Sequence, residues 1–133
     1  MIPTCVNTVV VGAGQAGLAM SAHLRDRQID HVVLERGSIA ERWRNARWDS
    51  LVMNGPAWHD RFPARQFDSD PDGFPGKEEV TRYFEEFAKQ IEAPIYCGVE
   101  ITGTTALLQG GYQVETSQGH LHANHAVAAT GPF

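Results

Sequence analysis

Val9-Val10-Val11-Gly12-Ala13-Gly14-Gln15-Ala16-Gly17 decides the fold of this chain. The valines read as a buried strand running straight into G-x-G-x-x-G, with a helical pattern behind it. A second apolar run, His31-Val32-Val33-Leu34, ends in Glu35. Strand, glycine turn, helix, second strand and an acid about 20 residues on are the parts of a dinucleotide-binding βαβ unit. Gly12 permits the tight turn, Gly14 lets the backbone approach a pyrophosphate, and Gly17 lets the helix pack closely on the strand. N–H groups at the helix start face the diphosphate, and the helix dipole favours its charge. Glu35 can accept hydrogen bonds from a ribose diol and would repel a 2′-phosphate. The residues therefore point to the ADP half of FAD or NAD rather than NADP. A glycine-rich turn that binds nothing is the competing reading.

Beyond the glycine turn, residues 15–28 read as the first helix, with Ala16, Ala19, Met20, His23 and Leu24 on one face. Residues 36–74 have weak periodicity and carry Trp43, Trp48 and Trp58, all three tryptophans of the chain. Long irregular segments in compact domains are commonly functional, and tryptophans argue against disorder. An ordered excursion covering a ligand is expected. Residues 77–91 form the clearest helix, with an apolar stripe of Val80, Tyr83, Phe84, Phe87, Ala88 and Ile91 and an expected Glu85–Lys89 pair. Ile95-Tyr96-Cys97 reads as a short strand. Residues 104–108, 112–116 and 120–123, separated by glycine turns, predict an antiparallel meander, and residues 126–129 a separate final strand. The expected class is α/β: a Rossmann-like domain in three layers, with a parallel sheet, one or two helices and a β-meander on one face.

Length and composition agree. The 133 residues suffice for one domain, and 42% apolar with 20% charged residues is an ordinary globular balance. The net charge of −5, with no basic run to offset it, argues against a nucleic-acid partner. No apolar stretch is long enough for a membrane span, and residues 1–7 lack the pattern of a signal peptide. Cys5 and Cys97 form no C-x-x-C, which excludes a redox dithiol of the disulfide-reductase kind and suits a cytoplasmic chain with reduced thiols. His120, His122 and His125 lack a fourth ligand nearby and read as a solvated strand surface rather than a metal site. Asp68, Asp70 and Asp72 read as a polar turn. Ser50 lacks a nucleophile elbow, and no side chain stands out as a catalytic acid or base.

Taken together, the glycine-rich βαβ unit, Glu35-Arg36, the connecting helix, the meander and the closing Ala129-Thr130-Gly131 resemble the FAD domain of two-dinucleotide-binding-domain flavoproteins. Within that group, three stretches are similar to the flavin-containing and class B monooxygenases. They are Glu41-Arg42-Trp43-Arg44, Arg47-Trp48-Asp49-Ser50-Leu51 and Asn54-Gly55-Pro56, joined by a closing segment that runs to Phe133. The resemblance implies that Gly12, Gly14, Gln15, Ala16 and Gly17 line the FAD pyrophosphate. Glu35 would hold the adenosine ribose, Arg36 flank the adenine, and the Ile101 backbone contact adenine. Arg42 and Trp43 would lie near the ribityl chain and flavin, and Asn54 beside the flavin ring. Thr130 and Gly131 would pass the FAD at the domain junction.

The resemblance further implies NADPH-dependent oxygenation of a small organic substrate by the parent enzyme. The family's inserted NADPH domain has no counterpart within residues 1–133, so the chain is expected to be one FAD-binding domain cut before a second. Alternatives are a non-catalytic nucleotide-binding module, an inactive gene fragment, or another oxidoreductase of the same superfamily.

Overall fold

The computed structural model describes residues 1–132. Chain order is β1 (Cys5–Val11), α1 (Gln15–Asp26), β2 (His31–Glu35), a single π-helical turn (Arg42–Ala46), α2 (Lys77–Gln90), β3 (Ile95–Cys97), β4 (Ile101–Ala106), β5 (Tyr112–Thr116) and β6 (Gly119–Ala128). All strands belong to one six-stranded sheet, ordered β3-β2-β1-β6-β5-β4. β1 pairs in parallel with β2 and β6, and β2 with β3, so the C-terminal ends of four strands open on one edge. In open parallel sheets that edge is where ligands bind.

Alternation along β1 and β2 fixes what lies on each face. Val10 and Val33 turn toward α1 and pack with Leu24. Val9, Val32 and Leu34 turn the other way and pack with Val114 and Leu121 of the meander. The result is the expected three layers: helices, parallel strands, meander.

Several element-level expectations are corrected. Residues 120–123 and 126–129 are not two strands but parts of the continuous β6. Asn124 and His125 look like a polar break, yet both are exposed side chains on a strand whose backbone is paired, His125 standing opposite Thr8. β6 begins antiparallel to β5 and continues parallel to β1, which welds the meander to the main sheet. β4 starts earlier than expected, at Ile101, and stops before Leu108, which sits fully exposed at a turn closed by the Leu107 N–H to Gly111 carbonyl bond.

α1 ends at Asp26, and its buried residues are Gly17, Leu18, Ser21 and Leu24, while Ala16 and His23 are exposed. The buried face is turned because a polar pair occupies it. The Ser21 hydroxyl meets His31 Nε2 at 2.8 Å, and His31 Nδ1 reaches the Ile29 carbonyl at 2.9 Å. That carbonyl can only accept, so Nδ1 carries a hydrogen. The α2 stripe is buried as expected. Glu85, however, forms its ion pair with Arg44 of the π turn rather than with Lys89.

The excursion is ordered, but phenylalanines rather than tryptophans anchor it. Phe62 stacks on Phe87 with centroids 3.9 Å apart, and Phe67 on Tyr83 at 3.8 Å. Trp48 and Trp58 are 65% and 57% exposed. The Tyr83 hydroxyl accepts the Phe62 N–H at 2.8 Å and donates to the Arg65 carbonyl at 2.6 Å, tying the loop to α2.

Candidate dinucleotide-binding site

The three glycines of the turn serve different geometric ends. Gly12 has φ +109°, and a Cβ there would stand 2.3 Å from the Ala129 carbonyl oxygen. A Cβ on Gly17 would stand 1.8 Å from the Gly12 carbonyl oxygen. These two positions therefore exclude a side chain for reasons internal to the fold. Gly14 differs: a Cβ there meets nothing within 4 Å, and its backbone is extended. Gly14 is the N-cap of α1 and offers no capping side chain. Its freedom from contact leaves open space directly before the first-turn N–H groups, which have no intrahelical acceptors.

Glu35 stands at the end of β2 beside this turn. One carboxylate oxygen accepts the Ala13 N–H at 2.8 Å, and the other accepts the Gly37 N–H at 2.7 Å. Each oxygen retains a lone pair, so the carboxylate can hold the loop and still accept from a diol. The Glu35 carbonyl in turn accepts the Val99 N–H at 3.0 Å, bringing in the segment that leads to Ile101.

Two adjoining hollows extend from the turn. The smaller, about 240 Å³, lies between Gly12, Glu35, Arg36, Val99, Ile101 and Thr130. The larger, about 800 Å³, runs past Gly14, Gln15 and Ala16 to Arg42, Trp43 and Arg47, with Thr130 and Gly131 on its other wall. Pocket volumes of this order take nucleotide-sized ligands. Of the residues singled out from sequence, Gly12, Gly14, Gln15, Ala16, Glu35, Arg36, Arg42, Trp43, Ile101, Thr130 and Gly131 line one or both hollows. Gly17 lies buried beneath them. Asn54 is exposed within the excursion and is not among the lining residues. Phe133 lies outside the described residues.

Residues assigned no role from sequence shape the larger hollow. Ala40 adopts φ +58°, and its N–H bonds the Ala13 carbonyl at 3.1 Å. Glu41 accepts from the Ser38 N–H at 2.9 Å and from the Asn45 amide at 2.6 Å. The Ser38 hydroxyl also donates to it, and these bonds hold the Glu41 carboxyl down at about 2. The available signal was the spacing Ser38-x-x-Glu41, a capping-box pattern. Arg47 lies 4.8 Å over the Trp43 ring, a cation–π contact. Cys97 is at the ligand edge of the sheet and Cys5 at the opposite end of the parallel strands, both as exposed thiols. Partial desolvation of its sulfur by the neighbouring chain, and the Glu35 carboxylate next, push the Cys97 thiol up.

Residues 9–133 match the family model described as pyridine nucleotide-disulphide oxidoreductase. The chain belongs to this family. A CzcO-like oxidoreductase of Geobacillus kaustophilus is 36% identical over 129 residues, 96% of this chain and 36% of that protein. An indole-3-pyruvate monooxygenase, YUCCA4, of Oryza sativa is 33% identical over 81% of this chain and 24% of its own length. The chain thus spans about a third of the first relative's length, 36%. Among solved structures, a flavin-containing monooxygenase from Stenotrophomonas maltophilia superposes with TM-score 0.88 at 23% identity, over 96% of this chain and 39% of that one. The bacillithiol disulfide reductase Bdr of Staphylococcus aureus gives 0.88 at 16%, over 97% and 39%. These likenesses establish a shared Rossmann-like fold. Among the described residues, no helix is long and apolar enough to cross a membrane, and no three His, Cys, Asp or Glu side chains gather to hold a metal ion.

Proposed function

We propose that residues 1–133 form the FAD-binding domain of an NADPH-dependent flavoprotein monooxygenase that oxygenates a small organic substrate in the cytoplasm. The observation that carries the reading is that Gly14, before which the space is open, lines the same hollow as Arg42, Trp43 and Arg47. The pyrophosphate would sit on the Gln15 and Ala16 N–H groups at the start of α1, where backbone donors and dipole both favour an anion. Adenine and ribose fit the smaller hollow, between Ile101, Arg36 and the Glu35 carboxylate. The remainder of FAD would run toward Arg42 and Trp43, past Thr130 and Gly131. A bound flavin supplies the redox and oxygen chemistry; the protein positions it and limits water. NADPH would be held by the rest of the relatives' length.

The family's breadth supports one competitor, a flavin-dependent disulfide reductase. Residues 1–133 supply no paired thiols of their own for such a reaction, because Cys5 and Cys97 stand at opposite ends of the parallel strands. A non-catalytic dinucleotide-binding module is the remaining alternative. The test is FAD reconstitution followed by an absorbance spectrum of the desalted protein. Retained flavin absorbance supports the reading; none, together with tight NAD binding, supports a different dinucleotide.

A further inference from the structure

The wall of the larger hollow rests on a very short element. Arg42 and Trp43 belong to one π turn of five residues, Arg42–Ala46. A single turn is too short to be stable by its own hydrogen bonds. Something outside its backbone must hold it.

On its α2 side, Arg44 is paired with Glu85. On its N-terminal side, everything converges on one carboxylate. Glu41 takes two donors from Ser38, three residues back, and one from Asn45, four residues on. It therefore spans the turn from before its first residue to nearly its last. Gly37 packs against it so closely that a Cβ would stand 2.8 Å from Glu41 Cγ and Cδ. Ala40, beside it, holds its unfavourable φ of +58° through its bond to Ala13 in the glycine turn. The pyrophosphate end of the hollow and its far wall are thereby joined through residues 37–45.

The geometry points to Glu41 as a positioning residue. Its carboxylate sets the placement of Arg42 and Trp43, and with them the affinity for the flavin-side half of FAD, while the ADP half depends on the glycine turn. This rests on the FAD reading above. Glu41 need not touch the cofactor; it acts through the turn that it staples.

Two measurements test it. The first compares FAD with ADP by calorimetry in wild type and Glu41→Ala. Losing the bonds that staple the wall should erase about tenfold or more of the preference for FAD over ADP. ADP affinity should stay within about twofold, because its contacts are made elsewhere. A folded variant with an unchanged FAD-to-ADP ratio overturns the inference. So does a variant that loses FAD and ADP equally, since that marks general loosening. The second needs no ligand. In a Trp48→Phe, Trp58→Phe background only Trp43 reports, and acrylamide should quench it more strongly in Glu41→Ala. Glu41→Gln, which keeps one acceptor oxygen, should restore part of the protection. Equal quenching in all three overturns the inference. If wild type binds neither FAD nor ADP while the quenching result holds, the dinucleotide reading fails and the positioning of the turn stands.

Discussion

At the scale of single residues, two glycines three apart in sequence, Gly14 and Gly17, make opposite predictions. Gly17→Ala puts a Cβ 1.8 Å from the Gly12 carbonyl oxygen, so backbone must move. Overpacking of this kind costs about 1–3 kcal/mol or more, which a thermal melt should show as a clear fall in Tm. Gly14→Val meets no atom within 4 Å and has an extended backbone to occupy, so Tm should hardly change while pyrophosphate binding is lost. Glu35 combines both effects. Its carboxylate accepts the Ala13 and Gly37 N–H groups, so Glu35→Ala should lower Tm as well as weaken FAD. A lost charge-assisted bond of about 1.5–3 kcal/mol corresponds to about 10- to 150-fold in affinity. Titration with FAD, NAD and NADP checks it, and a wild type that prefers NADP would contradict the role given to Glu35.

At the scale of elements, the excursion hangs on one phenol. Tyr83→Phe would leave the buried Phe62 N–H and the Arg65 carbonyl without their partner, at a cost of about 1–3 kcal/mol read from denaturant unfolding. Wild-type stability after the change would show that the loop is held by its stacked rings alone. The π turn has an acid limb. Ser38 and Asn45 hold the Glu41 carboxyl down at about 2 from an ordinary 4.5. A depressed folded-state value contributes stability that is full above about 4.5 and is lost as pH falls toward 2. Acid melting between those values should therefore be steeper for wild type than for Glu41→Gln, and equal slopes would remove Glu41 from the account. Much of this scale was legible in the sequence: β1, β2, α2 and the glycine turn follow from periodicity and the demands of backbone geometry. What escaped has a common cause. The Ser21–His31 pair turned the α1 face, paired backbone carried Asn124 and His125 within β6, and Arg44 drew Glu85 from Lys89. Each is a tertiary partner that no local pattern encodes. Asn54 shows the limit at the site, being placed by resemblance rather than by any property of its own neighbours.

At the scale of the whole molecule, residues 1–133 contain one G-x-G-x-x-G, and it ends in α1. Gly110, Gly111 and Gly119 sit at strand turns with no helix behind them, so they present no second set of helix N–H groups to a pyrophosphate. Hydride transfer needs nicotinamide and flavin held together, and one such fold holds one dinucleotide. With FAD supplied, these residues alone should oxidise NADPH no faster than free FAD does, in anaerobic stopped-flow. Faster flavin bleaching, with substrate oxygenation once O2 is admitted, would make them a complete enzyme. Whether the hollow beginning at Gly14 takes FAD is settled by calorimetric titration of FAD into wild type and Gly14→Val at matched Tm. Saturable one-to-one binding to wild type and none to the variant is expected; equal binding to both, or to neither, would overturn the FAD assignment.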